Sequence, residues 1–242
     1  MYTTAHMRLS ALPFFQKHLY LLVHIKGLLT RGFGKKYYSQ FGEDIVLERL
    51  CSGRRKGFYI DVGAYNPMHY SNTYLLYKKG WRGVNIDPNP HSMRLFNIHR
   101  RRDINLNVGI DDHAIERPYF IFNHQSCNTF SEKQKDLMLK KPFIRLIKEI
   151  RMPCVPLQTL LNTHAPGGGI DVLNVDVEGM SMQILRSIDW GKVCPKIICI
   201  EDDDFNFKDK EKFGSKIFSF LTERRYSLHS KVGLSCIYVS ER

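Results

Sequence analysis

Twice in quick succession the chain runs from an apolar stretch into a carboxylate. Phe58-Tyr59-Ile60-Asp61-Val62-Gly63 ends in an acidic-plus-glycine turn, and twenty-six residues after Asp61 a second run, Gly83-Val84-Asn85-Ile86, ends in Asp87. A buried strand that runs into a glycine lets a ligand approach the backbone closely. A strand that ends in an acid can accept hydrogen bonds from both hydroxyls of a ribose. Together they point to an adenosine site at the carboxyl edge of a parallel sheet. A dinucleotide fold would need GxGxxG, so that a pyrophosphate could sit on a helix start. Here Gly63 is followed by Ala64, Tyr65, Asn66 and Pro67. A ribose acid without a phosphate cradle suits S-adenosylmethionine, which carries no phosphate, and disfavours a nicotinamide dehydrogenase.

The rest of the chain extends that frame. Helical and strand patterns alternate: Glu43 to Leu50, Phe58 to Val62, Asn72 to Lys79, Val84 to Ile86, His91 to His99, Ile104 to Val108. Such alternation builds right-handed βαβ units and a parallel sheet. Pro118 to Asn123 reads as an extra strand or cover, and residues 126 to 165 interrupt the rhythm with an insertion or lid beside the sheet's carboxyl edge, helical and basic over Ser131 to Ile150. Alternation resumes at Asp171 to Val177 and continues through a helix to Ser187, the strand Lys196 to Ile200 and a helix at Phe213 to Arg224. Strands near Tyr226 to Ser230 and Leu234 to Val239 close the sheet.

Four ordered blocks carry a resemblance: YYSQFGEDIVL (37–47), GFYIDVGAYNP (57–67), SNTYLLYKKGWRGVNIDPNP (71–90) and DVLNVDVEGMSMQIL (171–185). Over roughly residues 37–202 the chain resembles the FkbM-type methyltransferases, which are similar to the wider class of S-adenosylmethionine enzymes. The resemblance implies an α/β fold: a Rossmann-like, seven-stranded, mostly parallel sheet with helices on both faces and a final antiparallel strand pair. It also implies methyl transfer to an oxygen, often on a sugar or polyketide. Residues 35–242 then form the methyltransferase domain, preceded by a separate segment, 1–34.

The site expectations follow. Asp61 and Gly63 would hold the methionine end of the cofactor, Asp87 the ribose, and Asn107 and Val108 the adenine edge. The Tyr38-Ser39-Gln40 block either folds over the cofactor or forms a structural staple with Phe41. Asp176, Glu178 and Glu201-Asp202-Asp203-Asp204 are expected at neighbouring strand ends, where a doubly wound sheet binds its ligands. Asp176 is the candidate for the acceptor's proton. An unaided carboxylate near pKa ~3.9 facing a hydroxyl near ~15.7 makes full transfer before attack cost on the order of 15 kcal/mol. Either the proton leaves as the methyl arrives, or a cation such as Mg2+, held by Asp176, Glu201 and Asp202, lowers the hydroxyl's pKa. The competing view of 201–204 is a solvated acidic loop. His69, on the loop after Gly63, is a second candidate base or a packing residue among tyrosines, and Asn128-Thr129 either touches acceptor or forms a turn.

Composition narrows the partners without naming them. Thirty-six Lys and Arg against 24 Asp and Glu leave a net charge of +12, which favours anionic partners, although the cations fall in scattered short groups. Nucleic acid is disfavoured because no NPPY or DPPY motif occurs. The six cysteines form no CxxC pair, which argues against a zinc ribbon and for a reducing, cytoplasmic compartment. Residues 11–29 read as an amphipathic basic helix, interrupted by Lys17, His18, His24 and Lys26, and too polar to span a bilayer. It can pack on its own domain, on a second copy as a homo-oligomer, or on an anionic membrane surface. Gly32 and Gly34 would hinge it.

Overall fold

In the computed structural model, residues 36–167, 169–177, 179–207 and 213–242 are described. The expected helix at 11–29, its hinge at Gly32 and Gly34, and Glu178 lie outside them. Residues Tyr37–Arg242 constitute one compact unit.

The first apolar run becomes strand β1 (Phe58–Val62), at the centre of a seven-stranded sheet. It pairs in parallel with β2 (Arg82–Ile86) on one side and with β7 (Val172–Val175) on the other. β3 (Ile104–Leu106) extends the sheet beyond β2, and β8 (Ile197–Glu201) lies parallel beyond β7. β10 (Ser235–Ser240) inserts antiparallel between β8 and β9 (Tyr226–Val232), as the family resemblance implied. The order β3-β2-β1-β7-β8-β10-β9 reverses direction at β1. That switch point opens a crevice at the strands' carboxyl ends.

Both sheet faces are buried, which explains the near-continuous apolar runs in place of alternation. Ile60, Val62, Val84, Ile86, Leu173, Val175, Ile198 and Ile200 supply the larger core. On the opposite face Tyr59, Val172 and Cys199 meet Leu47, Leu76 and Trp81 from α1 (Glu43–Leu50) and the segment around α2 (Tyr74–Lys78). Helix α3 (Pro90–His99) begins where Asp87-Pro88-Asn89-Pro90 dictates. The Asn89 side chain accepts from His91 N, and Pro90 takes the first turn, where its missing N–H costs nothing.

The insertion differs from expectation. Only Glu132–Leu139 is helical (α4), capped by Ser131, whose hydroxyl accepts from Gln134 N. Residues Leu146–Val155 form strand β6, which pairs antiparallel with β5 (Ile115–Phe122) and parallel with the short β4 (Gly109–Ile110). Two signals explain the strand. Pro142 cannot continue a helix through Lys141, and Ile150, Met152 and Cys154 turn inward at period two against Tyr119 and Phe130. A helix α5 (Leu157–His164) returns the chain to β7, followed by α6 (Ser181–Arg186) and α7 (Lys216–Thr222). Among the described residues, no helix is long and apolar enough to cross a membrane.

Candidate active site

A cleft of about 500 Å3 opens at the carboxyl ends of β1, β2 and β7, within the size range of small-molecule sites. One wall comes from the seven-stranded sheet (Val62, Gly63, Ile86, Asp87), the other from β5 (Tyr119) and the insertion (Asn128, Phe130, Met138).

Asp87 lies on the sheet wall, almost fully buried. Its Oδ2 accepts from Tyr65 N at 2.9 Å and its Oδ1 from Asn89 N at 2.7 Å. Burial pushes its pKa up to about 6, against the pull of those two donors. Each carboxylate oxygen retains a second lone pair for a ligand hydroxyl.

Gly63 has φ +78°, and a Cβ there would stand 1.8 Å from the Asp176 carbonyl oxygen. The glycine is therefore required by the chain's own close approach, which brings the 176–177 loop against the end of β1. Tyr65 and Tyr70 follow in left-handed conformation, each at φ 54°. Asn66 ties the turn between them by accepting from Met68 N and His69 N through its Oδ1.

Asp61 does not line the cleft. Its carboxylate is buried and accepts from Thr73 Oγ1 at 2.6 Å and Asn174 Nδ2 at 2.8 Å. Burial raises its pKa, while both hydrogen bonds and Arg100 oppose the rise. The direct cofactor contact expected of this side chain is thus replaced by an internal one. Asp61 anchors the segment after the Gly63 turn. Arg100, which belongs to one of the scattered short cation groups in the sequence, has no solvent exposure at all. It donates to Pro67 O, Ser71 Oγ, Thr73 Oγ1 and Tyr59 Oη, at 2.8 to 3.1 Å. With Asp61 and Asp103 it makes a buried polar network beneath residues 67–73.

The remaining expected residues divide. Val108 and Gln40 line the cleft, whereas Asn107 is exposed and donates its amide to the Asp87 carbonyl at 2.9 Å. Ser39 is buried against α1, donating to Asp44 Oδ1 and accepting from Gly42 N. Tyr38 packs edge-on against Tyr74 and accepts from Lys78 Nζ. Phe41 packs over Gly233. Asp176 and Glu201 line the cleft. Asp202 does not: it is buried, accepts from Ser215 Oγ at 2.5 Å, and so secures the N-cap of α7. The three carboxylates proposed for Mg2+ do not converge on one point, since the described ligand-forming cluster is Asp111, Asp112 and His113 instead. His69 is exposed and lies outside the cleft lining.

Two cleft atoms stand without a partner, one on Asn128, which the sequence had singled out, and one on Ser92, which it had not. Ser92 Oγ, on the first turn of α3, and Asn128 Nδ2 are buried and make no hydrogen bond. The Asn128 amide does lie near enough to Tyr119 to oppose the rise that burial gives the phenol, but not in hydrogen-bonding geometry. Orphaned buried polar atoms in a cleft wall call for a ligand or water to satisfy them. The capping motif Asp87-Pro88-Asn89-Pro90 was the signal that would have placed Ser92.

Among known structures, a TehB-like SAM-dependent methyltransferase from Corynebacterium glutamicum superimposes with TM-score 0.42 and 12% identity, over 92% of this chain and 97% of that one. A Klebsiella pneumoniae protein provisionally described as an O-methyltransferase gives 0.44 and 10%, over 91% and 90%. No curated protein matches at the level of sequence. Residues 61–228, more than half of the chain, match the Methyltransferase FkbM domain, and with its strand order and acid-ended β2 the chain belongs to that methyltransferase family.

Proposed function

We propose that the protein transfers the methyl group of S-adenosylmethionine to a hydroxyl oxygen, with a saccharide or glycoconjugate as the acceptor class. One observation carries the reading: Asp87 ends β2 inside the cleft, with one free lone pair on each oxygen and no phosphate cradle nearby. The fit to the cofactor rests on the same wall. Asp87 would take the ribose hydroxyls, the apolar Val108 and Ile110 would flank a base, and Ser92 Oγ and Asn128 Nδ2 offer polar edges still to be satisfied.

The bound cofactor would supply an electrophilic methyl on a sulfonium that leaves as a neutral thioether. The chain's task is then alignment, and positioning alone can supply about 7–11 kcal/mol in favourable cases. Asp176 and Glu201 at the cleft lip can accept from acceptor hydroxyls, and the exposed Tyr70 ring beside Tyr65 offers a flat apolar surface to a sugar. Asp176 takes the hydroxyl proton as the new C–O bond forms, which avoids the cost of prior ionisation. The reading uses neither His69 nor a metal.

Mass spectrometry of the purified, denatured protein is the test. Retained S-adenosylmethionine or S-adenosylhomocysteine, absent from an Asp87→Ala variant, is expected. Failure of the wild type to retain either, together with no heat of binding when they are titrated in, would overturn the assignment.

A further inference from the structure

The segment Leu137-Met138-Leu139-Lys140-Lys141-Pro142-Phe143-Ile144-Arg145-Leu146-Ile147-Lys148 contains four cations and no carboxylate. It covers the end of α4, a turn, and the start of β6. Its apolar side chains are unequally housed. Met138 is buried with Phe120 and Phe122, with Ile144 packed beside them. Phe143 and Ile147 are 81% and 64% exposed, and Leu137, Leu139 and Leu146 are exposed around them. An aromatic ring held in water on a mobile tip would need no explanation, but this turn is fastened. Asn123 donates from Nδ2 to Phe143 O at 3.0 Å and accepts from Arg145 N at 2.7 Å, while Ile144 N bonds to Lys141 O. The backbone presents Phe143 outward by construction. Exposed apolar residues collected with like-signed charge mark an interaction surface.

We infer that this tip docks on an anionic lipid surface. Among the described residues, none of Lys140, Lys141, Arg145 and Lys148 is in an ion pair with a carboxylate. Apolar side chains ringed by unpaired cations match a bilayer interface, where rings enter the headgroup layer and ammonium groups meet lipid phosphates. A second copy fits less well, because the same patch facing itself would set four cations against four, with only the flanking Asp136 and Glu149 to relieve them. The position has a functional consequence. Met138 and Lys141 belong both to this segment and to the cleft wall. Docking would hold the cleft mouth beside the membrane, so acceptors would be hydroxyl-bearing headgroups or lipid-linked saccharides. That consequence rests on the proposed methyl transfer; the docking itself does not.

Vesicle flotation of the full chain tests the docking without any turnover assay. Binding to phosphatidylcholine vesicles containing phosphatidylglycerol, weak on phosphatidylcholine alone and suppressed by salt, is expected. The double variant Phe143→Ser, Ile147→Ser should lower partitioning roughly tenfold or more. Arg145→Ala with Lys148→Ala should lower it about fivefold for each cation removed. All four residues lie outside the cleft lining, so S-adenosylhomocysteine affinity should stay unchanged and certify the fold. Equal flotation of wild type and both variants would overturn the inference, as would no flotation at all. A dimer in sedimentation that Phe143→Ser dissolves, without vesicle binding, would assign the tip to a copy–copy contact and equally overturn it.

Discussion

Asp87 is tied into the fold by two backbone donors and, on the proposed function, would also hold the ribose. Its folded pKa of about 6 lies above the ordinary carboxylate value because burial penalises the charge. The stability linked to this group is therefore full below pH ~3.9 and is lost as pH rises through about 6. At neutral pH the ionised, half-satisfied carboxylate costs the fold about 3 kcal/mol. Two ribose hydroxyls donating into its free lone pairs would restore part of that, and they require the charged form. Cofactor affinity should thus weaken as pH falls below about 6, approaching tenfold per unit. Calorimetry with S-adenosylhomocysteine between pH 5 and 8 measures this, and Asp87→Asn should bind weakly with a flat profile. A flat wild-type profile would detach the ribose from this acid. Asp61 carries the opposite lesson. Its strand-end position beside Gly63 was legible in the sequence, but the direction of its side chain was not. Direction depends on Thr73 and Asn174, residues brought to it by the sheet register and the turn before α2.

At the scale of elements, the parallel strands could be read because each is buried on both faces and announces itself as a short apolar run. The helix–strand boundary inside the insertion could not be read from charge. The basic run over 131–150 suggested one solvated helix, whereas Pro142 and the period-two burial of β6 belong to a strand. Arg100 was hidden for a related reason. It ends α3 within an Arg-Arg-Arg triplet that looks uniform in sequence, yet only Arg101 and Arg102 of the triplet are exposed. Its guanidinium joins α3 to the 67–73 segment, and nearby Asp61 and Asp103 depend on its charge. Arg100→Met should therefore cost about 3–5 kcal/mol in urea unfolding, the usual penalty for leaving buried charge uncompensated. The cofactor loop should loosen with it, so affinity for S-adenosylhomocysteine should fall in parallel. Loss of stability with affinity retained would confine the network to packing.

Over the whole molecule, two sheets of different origin face one another across the cleft. The larger carries Gly63 and Asp87 just past its strand ends; the smaller brings Tyr119 from β5, and the turn after β5 brings Asn128, which the sequence had singled out. Their meeting is a tertiary event without a local motif, which is why the sequence could set an extra strand and a lid beside the sheet's carboxyl edge but not say which of their residues face Asp87. The arrangement makes a specific demand: a ligand that occupies the cleft must touch both walls and tie the insertion to the main sheet. At a ligand concentration one hundred times Kd the native state gains about 2.7 kcal/mol. For a domain of this size that corresponds to a rise in Tm of roughly 5–10 °C. Hydrogen exchange resolves where the gain is realised. With S-adenosylhomocysteine bound, protection should increase around Gly63–Tyr65 and Asp87–Ser92, and also along Ser126–Phe130 across the cleft. Slower exchange on the sheet side alone would mean that the cofactor leaves the insertion free. Ser92 and Asn128 would then lose their shared ligand, and the insertion would be left as a wall for the acceptor only.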